Sequence, residues 1–376
     1  MAHNIVITGG PCGGKTTMMS TVVDELTARG YKVIVVPETA TTLILGGISP
    51  ASVGLIPFQN YILGLQLKVE DTFTMSVSDL GWDENKIVYL YDRGAVDGKA
   101  FIGSVKEWKA LLKRFKVTEN ELMSRYDGVI HMTTAAKGAE AYYTLENNAA
   151  RSEDLTAARK ADDALIKAWT GHPHLRVIDN TTDFSIKIQR AMSEIFSILG
   201  EPAPKEIERK YLVKLPDLDA LKSNYGAVVS NIIQTYLLTD ETEDGKIEKR
   251  IRQRGIDGDY SYYLTTKMTV TDLVRVEKEA RITKDEYVDY LMQSDPDYRP
   301  IRKDRYCFVY NNVYFELDVY PGWKDTAILE VELNDEDEKV DMPDFIDIIK
   351  EVTFDSSYKN SSLARLPKMV GDIYAD

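Results

Sequence analysis

The sequence predicts an α/β domain on a parallel sheet over residues 1–200, followed by an antiparallel α+β domain over residues 201–376. Three observations predict it. The chain has 376 residues, more than a typical single domain holds and enough for two. Up to Gly200, short Val- and Ile-rich runs alternate with longer amphipathic stretches. Beyond Pro202-Ala-Pro204 strand signals dominate, and several carry charges on alternate residues.

In the first part, strands are expected at Asn4–Thr8, Lys32–Pro37, Lys86–Tyr91, Gly128–Met132 and Leu175–Ile178. Helices are expected at Lys15–Arg29 and Phe184–Leu199, the latter stopped by Gly200. The alternation implies a parallel sheet covered on both faces. Two cysteines far apart, Cys12 and Cys307, offer no disulfide framework, and four histidines show no zinc spacing. Any metal is therefore expected to be a hard cation on oxygen ligands. A net charge of −14 argues against a general nucleic-acid or anionic-membrane binder. The apolar stretch Val53–Leu67 is interrupted by Pro57, Gln59, Asn60 and Gln66, and is too short and polar to span a bilayer. The first strand follows the N-terminus with no signal-like segment, so a cytoplasmic location is expected.

Gly9-Gly-Pro-Cys-Gly-Gly14-Lys15-Thr16 matches G-x-x-x-x-G-K-[ST] between a strand and a helix. In that context Gly9, Gly10, Gly13 and Gly14 let backbone N–H groups curl around phosphate oxygens. Lys15 reaches the outer phosphates, Thr16 joins a Mg²⁺ shell, and Thr17 completes the nucleotide-binding set for ATP or GTP. The strand ending in Asp92-Arg93-Gly94 brings a carboxylate and a guanidinium to the same sheet edge. Asp92 is expected to hold the metal shell or accept a proton, and Arg93 to clamp a phosphate. Glu38 reaches the same rim, with helix capping as the competing role. Arg151 and Arg159, in a polar helical stretch, suit a lid over a phosphoryl group or an ordinary solvated helix.

In the second part the charge pattern repeats strand after strand. Glu206, Glu208 and Lys210 share a face, as do Arg250 and Arg252, Glu277 and Glu279, Lys303 and Arg305, Glu316 and Asp318, and Glu330 and Glu332. Lys267 stands on a further strand, and the opposite face is apolar in Phe315, Leu317, Leu329 and Val331. Like charges two residues apart repel unless opposite charges face them. Acidic and basic doublets facing each other would collect divalent metal on one wall and phosphate oxygens on the other.

The P-loop, Asp92-Arg93-Gly94, Trp169-x-x-His172-Pro173 and Arg176-Val-Ile-Asp179-Asn180 together resemble nucleoside-kinase-like P-loop proteins related to ribosylnicotinamide kinases. Glu206-x-Glu208-x-Lys210, Arg250-Ile-Arg252, Lys303-Asp-Arg305, Asp318 and Glu330-Val-Glu332 resemble the CYTH, or triphosphate tunnel metalloenzyme, family. That resemblance implies an eight-stranded antiparallel tunnel with Mg²⁺- or Mn²⁺-dependent chemistry on triphosphates. Carried over by residue, Glu206, Glu208, Glu330 and Glu332 hold metal, with Asp318 and Glu279 in support. Lys210, Arg250, Arg252, Lys267, Lys303 and Arg305 bind the triphosphate. The expected function is a bifunctional enzyme acting on small-molecule phosphates, a triphosphatase joined to a nucleotide-dependent kinase-like domain. The alternatives make the P-loop domain a nucleotide sensor, and the tunnel a cyclase or a polyphosphate- or phospholipid-headgroup-binding module.

Overall fold

The computed structural model describes residues 2–143, 154–201, 207–239, 247–256, 258–269, 275–333 and 340–366. The chain divides into two compact units, the first running to Pro204 and the second holding the bulk of the residues from Lys205 onward. The boundary segment Pro202–Pro204 itself lies outside the described residues.

The first unit has a five-stranded sheet of β1 (His3–Thr8), β2 (Lys32–Val36), β3 (Ile87–Asp92), β4 (Gly128–Met132) and β5 (Leu175–Ile178), in the order β2-β3-β1-β4-β5. Every neighbouring pair is parallel. Ile5, Ile7, Val88, Leu90, Ile130 and Met132 cluster with Met18, Val22 and Leu26 of the helix Lys15–Ala28 and with Ile188, Ala191 and Ile195 of the helix Phe184–Ile198. Tyr91, Tyr126 and Trp169 form a chain of edge-to-face rings, 5.3 and 5.5 Å between centroids. Because β1 is the central strand, the loop after it lies between the ends of β3 and β4.

The second unit is built on one antiparallel sheet. Its strands are β6 (Ile207–Lys214), β7 (Val228–Tyr236), β8 (Ile247–Ile256), β9 (Asp259–Thr269), β10 (Arg275–Ile282), β11 (Ile301–Tyr310), β12 (Val313–Val319), β13 (Thr326–Leu333) and β14 (Ile348–Glu351). They run in the order β10-β9-β8-β7-β11-β12-β13-β6-β14. Six of them, β6, β8, β10, β11, β12 and β13, carry the charged sets, β9 carries Lys267, and the four-residue β14 extends the edge beside β6. Asn311 and Asn312, both at positive φ (47° and 64°), make the tight turn from β11 to β12, a conformation asparagine tolerates.

Register decides which side chains share a face. Glu330 lies opposite Lys210 and Glu316, and Glu332 opposite Glu208. Lys303 lies opposite Ile232 and Arg305 opposite Ser230, while Arg250, Arg252 and Arg254 lie opposite Tyr236, Gln234 and Ile232. Thr265 pairs with both Arg250 and Glu279. Directly paired residues point the same way, so one face of the sheet carries all of these charges. Two residues further along the same face, Tyr236, Ile301, Tyr320 and Ile328 meet Val352 and Ala364 in an apolar cluster at one end. The other face buries Phe315, Leu317, Leu329 and Val331.

Gly9 follows β1 at a φ of 137°, and a Cβ there would stand 2.1 Å from the Met132 carbonyl oxygen. Gly9→Ala should therefore destabilise the fold by roughly 1–3 kcal/mol through overpacking against backbone. Urea denaturation of the full chain measures the change.

Candidate functional site

At the first site, the helix Lys15–Ala28 begins at Gly14, whose φ is 91° and which offers no side-chain cap. The helices Leu155–Trp169 and Phe184–Ile198, by contrast, are capped by Asp154 and Asp183. The start of the P-loop helix thus presents backbone N–H groups and the positive end of its dipole. Gly13 meets the same constraint as Gly9, since a Cβ would fall 2.4 Å from the Met132 carbonyl oxygen. Lys15 Nζ folds back on the loop, donating to the Gly9 carbonyl at 3.0 Å and the Gly10 carbonyl at 3.1 Å. Thr16 and Thr17 lie exposed in the first helical turn.

Asp92 ends β3, and Arg93 follows at a φ of 69° with its N–H donating to the Ile7 carbonyl. Arg93 Nε donates to Glu38 Oε1 at 2.6 Å, and its Nη1 is buried without a partner among the described residues. Glu38 precedes the helix Thr39–Leu45 but makes no side-chain cap, so its carboxylate serves Arg93 and the Thr41 hydroxyl instead. Burial opposes ionisation of Glu38, but Arg93, the Thr41 hydroxyl and Lys15 together outweigh it and hold the carboxyl below the usual range. Burial, then the neighbouring Glu38, pushes the Asp92 carboxyl up.

Three buried groups that sequence reasoning missed hold this edge together. Asp97 accepts from Thr8 Oγ1 and Trp169 Nε1, each at 2.8 Å, and from the Gly94 N–H at 3.0 Å. Asp162 accepts from the Gly10 and Thr134 N–H groups, each at 3.0 Å, from Lys137 at 2.9 Å, and contacts His131 Nε2 at 3.0 Å. Burial opposes its ionisation, yet His131 and Lys137 hold it well below the usual carboxylate range. Lys187 Nζ donates to the Gly13 carbonyl. The signal available in sequence is a charge on an apolar stripe. Asp162 shares the buried side of its helix with Ala158, Leu165 and Trp169, and Lys187 shares its own with Ala191 and Ile195. Arg159 pairs with Glu140 at 2.9 Å and donates to the Ala136 carbonyl, while Arg151 lies outside the described residues.

The second site is the charged face of the antiparallel sheet. Arg305 Nε and Nη2 donate to the two oxygens of Asp318, each at 2.7 Å, and Nη2 also reaches Glu330 at 2.6 Å. Arg305 pairs further with Glu316, and Lys303 with Asp318. Asp318 is fully buried, and Lys303, Arg305 and Glu330 are each less than one tenth exposed. Lys210 Nζ bridges Glu330 at 2.5 Å and Glu208 at 2.9 Å. Burial, then the Glu330 charge, pushes Glu208 up to about 7, whereas Lys210 and Arg305 overcome burial at Glu330 and keep it ionised. Burial, then Arg305, lowers the Lys303 pKa. Across the sheet Arg252 stands 3.5 Å from Glu279, which also accepts from Thr265 at 2.8 Å. Arg254, absent from the expected set, is buried and donates to Ser230 at 3.0 Å. Lys267 pairs with Glu248 and Glu277 in the backbone register.

Glu206 lies outside the described residues, and Glu332 is exposed on the same face as Glu208. Among the described residues, no three histidines, cysteines or carboxylates converge on a single metal position. Glu208 and Glu330 already share one cation, the Lys210 ammonium, and both are hard oxygen donors of the kind Mg²⁺ and Mn²⁺ take. Asp318 is differently placed, since both of its oxygens are taken by Arg305 and Lys303.

Residues 4–187 match the family model of the AAA domain, so this part of the chain is P-loop NTPase-like. No curated protein matches the chain. Among solved structures the chain is similar to the inorganic triphosphatase NE1496, at 30% identity over 43% of this chain and 94% of that one, with a TM-score of 0.30. It is also similar to the PH1819 protein from Pyrococcus horikoshii OT3, at 20% identity over 34% of this chain and 81% of that one, TM-score 0.25. A conserved hypothetical protein from Pyrococcus furiosus matches at 21% identity over 35% and 81%, TM-score 0.25. No helix among the described residues is long and apolar enough to cross a membrane.

Asp318→Asn removes the charge that compensates both Arg305 and Lys303 inside the sheet. Breaking a buried pair in this way should cost about 3–5 kcal/mol. A denaturation midpoint equal to wild type would show that the network is not buried in solution.

Proposed function

We propose that the chain is a bifunctional phosphate-handling enzyme. The charged face of the second unit hydrolyses a triphosphate with Mg²⁺ or Mn²⁺, and the P-loop binds ATP or GTP and transfers a phosphoryl group. The observation that carries the hydrolase half is the register. It collects basic doublets from β8 and β11, acidic doublets from β12 and β13, and Glu208 with Lys210 from β6 on one face.

In this reading Lys210, Arg250, Arg252, Lys267, Lys303 and Arg305 bind the phosphate oxygens. Glu206, Glu208, Glu330 and Glu332 would hold the cation, which when bound would neutralise phosphate charge and orient water. Asp318, Glu316 and Glu330 engage four of the five Arg305 N–H groups and keep its guanidinium fixed in plane, so a phosphate oxygen would be met by the remaining Nη1 proton. Lys210, held by Glu208 and Glu330, would stand on the same face as a donor to a phosphate oxygen. Water adds to a terminal phosphorus while the bond to the bridging oxygen breaks. The basic side chains stabilise negative charge on that departing oxygen.

At the P-loop, Lys15 and the loop amides hold the outer phosphates, and Thr16 joins the cation shell. Arg93 Nη1, without a partner among the described residues, would donate to a phosphate oxygen, and Asp92 beside it would accept a hydroxyl proton.

A panel of triphosphates with Mg²⁺ or Mn²⁺, resolved by product, tests the hydrolase half. Orthophosphate is expected from wild type, and Glu208→Gln should abolish turnover while weakening metal affinity roughly 10- to 100-fold. A cyclic nucleotide product would replace hydrolase by cyclase. Wild-type turnover by Glu208→Gln at low Mg²⁺ would remove Glu208 from the metal set.

A further inference from the structure

We propose that Lys187 is a positioning residue for nucleotide binding, setting the direction in which the peptide groups of the phosphate-binding loop face. The inference rests on nucleotide binding at that loop. Lys187 is 2% exposed, yet all three N–H groups of its ammonium have acceptors. These are the Gly13 carbonyl at 3.0 Å, the Thr133 carbonyl at 2.8 Å and Asn180 Oδ1 at 2.7 Å. Asn180 is itself fixed, because Nδ2 donates to the Thr134 and Lys137 carbonyls at 2.8 and 2.7 Å. The Thr134 hydroxyl in turn donates to the Pro11 carbonyl of the loop.

The consequence follows from peptide geometry. A trans peptide group is planar, with its C=O and N–H pointing in opposite directions. Holding the Gly13 carbonyl inward on Lys187 therefore turns the Gly14 N–H outward, toward the start of the helix where phosphates bind. Asp162 does the converse one turn earlier in the loop. It holds the Gly10 N–H inward, so the Gly9 carbonyl faces out, where Lys15 Nζ takes it at 3.0 Å. A buried cation and a buried anion thus fix opposite peptide orientations at the two ends of the loop.

Burial lowers the Lys187 pKa to about 8. The charged groups facing it are Asp162 on the helix Leu155–Trp169, Asp179 after β5, and Arg190 on its own helix; the carboxylates raise its pKa and Arg190 lowers it. A phosphate anion on the loop favours the ammonium form. Nucleotide affinity should then be greatest below about pH 8 and fall as pH rises through it. Phosphate itself, with a second pKa of about 6, no longer titrates there.

The test is calorimetric titration of the full chain with ATP and with GTP across this pH range. Lys187→Met should bind about 10- to 100-fold more weakly below pH 8, the loss of hydrogen bonds from a charged donor, and show no decline through the range. Asn180→Asp places a carboxylate beside the ammonium and should move the wild-type decline to higher pH, a readout that does not depend on Lys187→Met folding. Wild-type affinity in Lys187→Met, or an unmoved decline in Asn180→Asp, overturns the assignment alone. Absence of ATP and GTP binding by the wild type overturns it together with the nucleotide reading.

Discussion

Arg305 is the cation on which the second unit turns. Its guanidinium sits among Asp318, Glu316 and Glu330, three carboxylates from two neighbouring strands, and almost none of it reaches solvent. Register places Glu316 opposite Glu330 and Glu208 opposite Glu332, pairings that repel when nothing stands between them. Lys210, Lys303 and Arg305 supply the compensation. Removing one member of such a buried set leaves an uncompensated charge costing about 3–5 kcal/mol. The basic residues of one strand and the acids of the next therefore depend on each other.

The same arrangement suits phosphate chemistry. A guanidinium held in plane by carboxylates has already lost its rotamer freedom, so a bound phosphate does not have to order it. The apolar cluster of Tyr236, Tyr320 and Ile328 at one end keeps that part of the face dry, which strengthens electrostatic interactions nearby. In the first unit buried ions perform a related task on backbone groups. A tight loop has N–H and C=O groups that no helix or sheet satisfies, and Asp97, Asp162 and Lys187 supply partners for several of them.

Much of this was legible in the sequence, for identifiable reasons. The P-loop and the strands of the first sheet are local signals, and Leu175–Ile178 and Gly128–Met132 are found at their expected bounds. The charge doublets were legible because strand geometry repeats every two residues, so Lys303 and Arg305 had to share a face. The partners of those charges were not, because pairing across strands depends on register. The buried ties were hidden by distance along the chain, since Asp162 and Gly10 are 152 positions apart and Lys187 and Gly13 are 174 apart. Glu38 shows the limit of local reading: its place before a helix left a rim carboxylate and a cap equally open, and tertiary structure gave it to Arg93. β14, exposed along its whole length, has no alternation to announce it.

The two proposed phosphate sites are separable by a pair of variants measured on the same preparations. Lys15→Ala and Lys210→Met of the full chain would each be assayed for nucleotide affinity and for triphosphate hydrolysis. Two independent sites predict that Lys15→Ala loses nucleotide binding and keeps hydrolysis, while Lys210→Met keeps nucleotide binding and loses hydrolysis. Hydrolysis that disappears with Lys15 and survives the loss of Lys210 would contradict that division and place the hydrolase at the P-loop.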